Sequence, residues 1–364
     1  MRKIPKLRFK HGRVLLFSIG RVYGGGETYC VKLAKLLSSR YEVGAVVGHP
    51  KLAAELSKIT NSLWSIEPRA AISRVRCYAE SAHRLRSAIR QWNPDVVHLN
   101  GQGEMYLAGI SALSGIPTIT TRHVLFNEHI PTHKRWFVRQ NLRFIRRIVC
   151  VSSVIREQLS PFTNANKLTV IPNWLDQAPC PEPYRPPREH SPFRILYVGR
   201  LVQSKGVSDL IEAVRQLDSV TLDIVGEGND MQNLKRRAEK YPIQFHGFQR
   251  DCAPFYRAAD LLVFPSYFEG QGQVPFEAMS HGTPCLVSDI EAVLETTGNG
   301  AAAEVFQCGN VDDLARKIEY LRTNRSRLEE LSRAGYERVT TAFTVDAVRE
   351  KYFRLFDEVM EQAA

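Results

Sequence analysis

The chain has 364 residues, 44% of them hydrophobic, and a formal net charge of +11. That length is too great for one compact core and suits two domains of ordinary size. No run approaches the roughly 18 apolar residues needed to cross a bilayer, and Val14 to Ile19 is too short for a signal-peptide core, so a cytoplasmic chain is expected.

The charge is unevenly spread. Residues 1–180 hold 27 Lys and Arg against 10 Asp and Glu, whereas the remainder holds 22 against 28. A basic half beside an acidic one predicts that the first half meets an anionic partner. The seven cysteines (30, 77, 150, 180, 252, 285, 308) are odd in number and widely separated, with no C-x-x-C pair for zinc or redox chemistry, which reads as reduced core residues.

In chain order, short β-branched runs alternate with amphipathic stretches, the pattern of a parallel sheet wrapped by helices. Strands are predicted at Arg13–Phe17, Val43–Val47, Asp95–Leu99, Thr118–Thr121, Ile148–Val151 and Leu168–Ile171. Between the first two, Cys30, Leu33, Ala34 and Leu37 recur at i, i+3, i+4 and i+7, so Glu27–Ser38 is a helix with one buried face. Six prolines within 179–192 are incompatible with helix or central strand and mark an extended linker, dividing a first domain (1–178) from a second (193–343). The second series has strands at Arg194–Val198, Thr221–Val225, Gln244–His246, Leu261–Phe264 and Cys285–Ser288. Helices follow Gly206, Asn229 and Asp251, and Val274–His281 adds two turns. Residues 312–335 and 345–361 read as closing helices. Doubly wound sheets bind ligands outside the carboxyl ends of their strands, so two such domains facing each other would share a cleft.

The polar residues cluster where those strands end. Gly24-Gly25-Gly26 sits between the first strand and its helix; three consecutive glycines let main chain approach a ligand closely, with plain flexibility as the simpler explanation. His123 lies just beyond one strand and His98 at the end of another, positions where a histidine is most often packed or hydrogen-bonded. Gly199-Arg200-Leu201 with Lys205-Gly206 follows a strand and opens a helix, and Val225-Gly226-Glu227-Gly228 forms the next tight turn. Neither is a dinucleotide fingerprint, since position 231 is Met231, and no P-loop occurs. In residues 265–285 two carboxylates, Glu269 and Glu277, flank a glycine-bearing turn and the start of a helix. There the free amides of Gly270, Gln271, Gly272, Gln273 and Val274 can receive an anion while the carboxylates accept hydrogen bonds from hydroxyls.

This constellation resembles the E-x7-E signature of retaining, nucleotide-sugar-dependent glycosyltransferases of the GT-B fold, family 4, many of which assemble bacterial surface glycans. The glycine loop, the G-R-L…K-G segment, the V-G-x-G turn and Ile171-Pro172-Asn173-Trp174-Leu175-Asp176, which is similar to the family's I-P-N-G-x-D, extend the match. The resemblance implies an α/β protein of two facing doubly wound Rossmann-like domains with an interdomain cleft, whose last helix (344–364) crosses back to the first domain. It implies that Arg200 and Lys205 bind the donor diphosphate, Glu269 the sugar hydroxyls and Glu277 the ribose, with Gly199, Gly226, the amides of 270–274 and Gly24 to Gly26 around the nucleotide sugar, and His123 (or His98) near the sugar. The nucleoside diphosphate sugar is then a co-substrate and no metal is required, because the two cations and the helix starts stabilise the departing charge. The resemblance further implies that the acceptor is a lipid-linked or growing glycan.

Two departures stand out: Gln271 replaces the usual aromatic, and Glu291-Ala292 replaces a Gly-Gly pair. Residues 134–147 carry Lys134, Arg135, Arg139, Arg143, Arg146 and Arg147 with no acid among them. With Arg2, Lys3, Lys6, Arg8 and Lys10 they predict a peripheral contact with an anionic membrane surface. A GT-B epimerase or phosphorylase is an alternative. A basic nucleic-acid-binding protein ranks last, for want of interleaved aromatics, so no nucleic-acid partner is expected.

Overall fold

The computed structural model describes residues 12–20, 23–66, 74–101, 103–125, 132–176 and 192–362, without the side chains of 74–76 and 132–134. The Pro-rich stretch, Cys180, the basic N-terminal arm and the Lys134 side chain therefore lie outside the described residues. The chain divides into two units, one taking Met1–Pro172 with Val348–Ala364 and the other Asn173–Ala347.

The first unit is built on seven parallel strands: β1 (Arg13–Ser18), β2 (Glu42–Val47), β3 (Ser62–Ser65), β4 (Val96–Asn100), β5 (Thr118–Arg122), β6 (Arg147–Cys150) and β7 (Leu168–Val170), in spatial order β3-β2-β1-β4-β5-β6-β7. Its central strands are buried on both faces, as in Val14 to Phe17, which is why they read as unbroken apolar runs. The Gly25–Ser38 helix packs Cys30, Leu33, Ala34 and Leu37 inward. Chain order reverses direction between β1 and β4, so the loops after those strands leave the same edge side by side.

The second unit repeats the plan with β8 (Phe193–Val198), β9 (Val220–Val225), β10 (Ile243–Gly247), β11 (Leu261–Phe264), β12 (Cys285–Ser288) and β13 (Glu304–Phe306), ordered β10-β9-β8-β11-β12-β13 and all parallel. Here the reversal falls between β8 and β11. The chain enters this unit after Pro172, ahead of the prolines, because Asn173 and Leu175 bind within it: Asn173 to Gln271, and Leu175 N–H to the Phe343 carbonyl at 2.8 Å.

Three features depart from the sequence reading. Strands β3 and β13 are short edge strands of four and three residues with little β-branched character, below the length at which a periodic signal stands out. The stretch expected as one helix over 312–335 is two, Val311–Thr323 and Arg325–Ala342. Asn324 separates them, its side chain accepting from Arg327 N–H as an N-cap. In the Thr132–Arg143 helix, read above only for its cations, the buried face is Val138 and Leu142, continued by Ile145 just past its end, while Trp136, Phe137 and Phe144 are exposed.

The closing helix Val345–Glu361 joins the first unit from Val348 onward. Asp357 accepts from Tyr41 O–H at 2.7 Å and from Arg40 Nη2 at 2.6 Å, and Phe353 and Phe356 face the Tyr41 ring. Arg147, read as unmet by any acid, pairs with Glu358 at 3.5 Å, and Arg146 donates to Gln362. Those partners come from a helix some two hundred residues away in sequence, which no local reading brings near.

Candidate active site

In the second unit, the loops after β8 and β11 carry the residues singled out in the sequence. The β8 loop turns immediately into Arg200, an exposed side chain whose guanidinium meets none of the described residues, and then into Lys205. Gly206 follows at φ +66°, where a Cβ would stand 2.0 Å from the Pro265 carbonyl oxygen. This close approach pins the β8 loop against the β11 loop and admits glycine only. As a result Lys205 Nζ reaches Glu269 Oε1 and forms an ion pair with it, the two side chains being 15% and 14% exposed. Ser266 Oγ donates to the same carboxylate oxygen at 3.0 Å, leaving Oε2 free of protein partners among the described residues.

The Gln273–Ser280 helix starts behind Gly272 with no side-chain cap, so its first N–H groups point out of the helix end unclaimed. Pro275 falls in its first turn, where a missing N–H costs nothing. Glu277, in the second turn, accepts a hydrogen bond from Tyr256 O–H at 3.1 Å. Burial first, and the Glu277 carboxylate second, hold the Tyr256 phenol well above its ordinary value, so it stays a donor. Tyr197 O–H donates to the Arg200 carbonyl at 3.0 Å and fixes the turn that aims the arginine.

Gly199 and Gly226 have a packing reason independent of any ligand. A Cβ on Gly226, at φ +139°, would stand 1.9 Å from the Gly199 carbonyl oxygen, so the two turns touch main chain to main chain. Gln271 also differs from a simple lining role. Its side chain is buried and Oε1 accepts from Asn173 N–H at 2.8 Å and Asn173 Nδ2 at 2.7 Å, while its carbonyl accepts from Thr296 Oγ1 at 2.6 Å. Asn173, in the Ile171–Asp176 segment, thus holds this loop through the Gln271 side chain.

In the first unit the corresponding edge turns its carboxylates onto its own main chain, Glu27 Oε2 accepting from Gly24 N–H at 2.9 Å and Glu104 Oε1 from Ile19 N–H at 3.2 Å, and leaves an amide and an imidazole beside the glycine loop. Asn100, the last residue of β4, donates from Nδ2 to the Gly26 carbonyl at 2.9 Å and to Ser18 Oγ at 3.1 Å. Its Oδ1 is therefore the acceptor for His123 Nε2 at 2.9 Å, which places the imidazole proton on Nε2 and leaves Nδ1 a lone pair. Burial, and then the Arg122 charge, push the His123 pKa down to about 3. His98 is pushed down equally, to about 3, by burial and by His123. Its side chain is wholly enclosed, with Nε2 against Thr121 Oγ1 at 2.9 Å and its ring facing Phe356, so of the two histidines only His123 borders the glycine loop. Tyr29 O–H joins Thr121 Oγ1 and Tyr352 O–H, both at 2.8 Å, and its ring stands edge-on to His123. A Cβ on Gly26 would meet nothing within 4 Å, so the loop borders open space there.

Asn100, Tyr29 and Tyr256 escaped the sequence reading. Asn100 alone carried a signal, a polar residue one position past the predicted end of a central strand. Among the described residues no group of three or more His, Cys, Asp or Glu side chains is placed to hold a metal ion.

Comparison with known proteins bears on this geometry. Residues 184–338 match the family model of glycosyl transferases group 1 and residues 23–178 that of Glycosyltransferase Family 4. A glycogen synthase of Mycobacterium tuberculosis is 28% identical over 277 residues, 70% of this chain and 66% of that protein. The lipopolysaccharide core biosynthesis glycosyltransferase LpsD of Rhizobium meliloti is 27% identical over 219 residues, 58% of this chain and 64% of that protein. The match thus spans slightly less than two thirds of each relative's length. The Anabaena protein HepE, crystallised with UDP and glucose, superposes with a TM-score of 0.82 at 18% identity, covering 96% of this chain and 100% of that one, a likeness of fold. With both of its doubly wound units matched in turn, the chain belongs to the group 1, family 4 glycosyltransferases of the GT-B class.

Proposed function

We propose that the protein is a retaining glycosyltransferase that moves a sugar from a nucleoside diphosphate sugar to a lipid-linked or growing glycan acceptor in polysaccharide or lipopolysaccharide assembly. The observation that carries this reading is the Lys205–Glu269 pair, just ahead of the uncapped Gln273–Ser280 helix, at the reversal point of the second sheet, with the exposed Arg200 on the same loop as Lys205. Cations and amide dipoles gather where a diphosphate departs, and a carboxylate with one free oxygen lies next to them for sugar hydroxyls.

In this reaction the bond from the anomeric carbon to the diphosphate oxygen breaks while the acceptor oxygen bonds to that carbon on the same face. The acceptor proton passes to the departing phosphate oxygen. Arg200 and Lys205 stabilise the charge that grows on that oxygen, an effect larger at the transition state than before it. The Lys205 ammonium has three protons, of which Glu269 occupies one. Glu269 keeps the ammonium oriented while its second oxygen accepts from the sugar, and Glu277 accepts from ribose. His123, neutral and with Nδ1 as an acceptor, takes a sugar hydroxyl rather than a proton from the acceptor. The HepE complexes with UDP and with UDP-glucose make a uridine diphosphate sugar the first donor to try. Membrane-linked acceptors suit a peripheral protein at the cytoplasmic face; no described helix is long and apolar enough to cross a membrane.

Incubation with UDP-, GDP-, ADP- and dTDP-sugars and a glycan acceptor, read by NMR for the anomeric configuration of the product, tests the reading. Retained configuration and acceptor-dependent release of nucleoside diphosphate are expected. Release of free sugar and nucleotide without acceptor would favour an epimerase instead, and inverted product would end the retaining assignment.

A further inference from the structure

At the opposite edge of the first unit, by the amino ends of β6 and β7, a groove of about 810 Å³ opens between the Thr132–Arg143 helix and the segment 160–167. It lies away from Gly26, Asn100 and His123, which stand at the carboxyl ends of their strands. Arg139, Arg143 and Lys167 line it, with Thr163 and Asn164 beside them, and no Asp or Glu does. Arg139 and Arg143 are one helical turn apart, a like-charge pair that weakens a helix, and no acid on this helix or in 160–167 offsets it. Among the described residues Arg139 meets no side chain, and Arg143 donates only to Gln140. Lys167 Nζ is held by the Leu142 and Arg143 carbonyls at 3.2 and 3.3 Å, which fixes a cation at the groove floor. Trp136, 64% exposed, forms part of the wall. Phe162, from the facing segment, lines the groove as well.

We infer that this groove is a headgroup site for an anionic phospholipid, with Arg139, Arg143 and Lys167 around the phosphate and Trp136 in the interfacial layer above it. Charge complementarity selects an anion, and the exposed Trp136 in the same wall as the cations selects one attached to a membrane. A soluble anion would need no exposed Trp in the wall, whereas Trp is favoured where an apolar body meets a polar boundary. The inference rests on the peripheral membrane reading above and localises it to one groove.

The test is co-sedimentation of the full chain with vesicles of phosphatidylcholine alone or with phosphatidylglycerol, for wild type, Arg139→Gln/Arg143→Gln and Trp136→Ala, with thermal unfolding to verify that each variant folds. Wild type should bind the phosphatidylglycerol vesicles and the double variant should bind about 30-fold more weakly, roughly fivefold for each cation at an anionic surface. Trp136→Ala should lose the blue shift of tryptophan fluorescence on those vesicles. Wild-type binding to anionic vesicles that the double variant retains would overturn the groove and leave the membrane reading standing. Equal binding to both vesicle types, or none to either, would overturn both. Millimolar glycerol phosphate producing the fluorescence change without vesicles would overturn the lipid in favour of a soluble phosphate.

Discussion

The two units share a plan but place different kinds of group at the carboxyl ends of their strands. The second unit presents an open cation, Arg200, on the same loop as the Lys205–Glu269 pair; the first presents a glycine loop, an amide and an imidazole held neutral, while its carboxylates, Glu27 and Glu104, are engaged by the main chain of its own loops. In a doubly wound sheet this edge is where ligands bind whatever the chemistry, so the difference is set by side chains and not by topology. The charged edge suits the end of a donor that leaves as a dianion. The neutral edge suits a sugar, whose hydroxyls need partners of both senses and gain nothing from a cation.

That contrast can be broken first at the ion pair. Lys205→Met leaves Glu269 charged and partly enclosed with only Ser266 beside it, and should cost about 3 kcal/mol of stability, as when one member of a buried pair is removed. Lys205→Met/Glu269→Gln should recover most of that loss in urea unfolding, because the orphan charge is gone; a double variant as unstable as the sum of the singles would mean that the pair is not coupled. Arg200→Ala probes the same edge without a structural penalty. Exposed and unpaired, it should change stability by no more than about 0.5 kcal/mol while lowering transfer about 10²-fold, as for loss of one transition-state donor. A variant that keeps its rate would remove Arg200 from the reaction.

The neutral edge has its own signature in pH. His98 and His123 titrate near 3 when folded and near 6.5 when unfolded, so below about 6.5 the unfolded chain binds protons that the folded chain does not. Their contribution to stability is therefore full above 6.5 and falls as pH drops toward 3, by up to about 1.4 kcal/mol per pH unit for each histidine. Glu104 acts in the opposite sense, since burial raises its carboxyl to about 7 and makes the folded state the better proton acceptor between roughly 4.5 and 7. His98→Gln isolates the histidine share: between pH 7 and pH 5 it should lose less stability than wild type, and an equal or larger loss would show that His98 is charged in the fold. Smallest, Tyr352→Phe removes the hydroxyl that meets Tyr29 and should cost about 1 kcal/mol, seen as a lowered unfolding midpoint with donor affinity unchanged.

How much of this was legible in the sequence depended on the range over which each feature is determined. Central strands such as β1 and β11 declare themselves by unbroken apolar runs, and the residues at their ends could be numbered because each motif lies within about twenty residues of a strand. Edge strands β3 and β13 have too few residues for a period to emerge. The pairing of Lys205 with Glu269 spans 64 residues, and sequence gave them separate ligand roles because nothing local reports that Gly206 lets two loops touch. The inward turn of Gln271 depends on Asn173, almost a hundred positions away. Gly226 shows the reverse case: a glycine suggestive of a ligand is required already by the neighbouring carbonyl of Gly199.

The central claim is that the cations of the β8 loop hold a departing diphosphate. Titration calorimetry of wild type and Arg200→Ala with UDP, GDP, ADP and dTDP addresses it without any acceptor or turnover. At least one nucleoside diphosphate should bind wild type, and Arg200→Ala should bind that same nucleotide at least tenfold more weakly. Equal affinity for the two proteins, or no heat from any nucleotide with wild type, would contradict it.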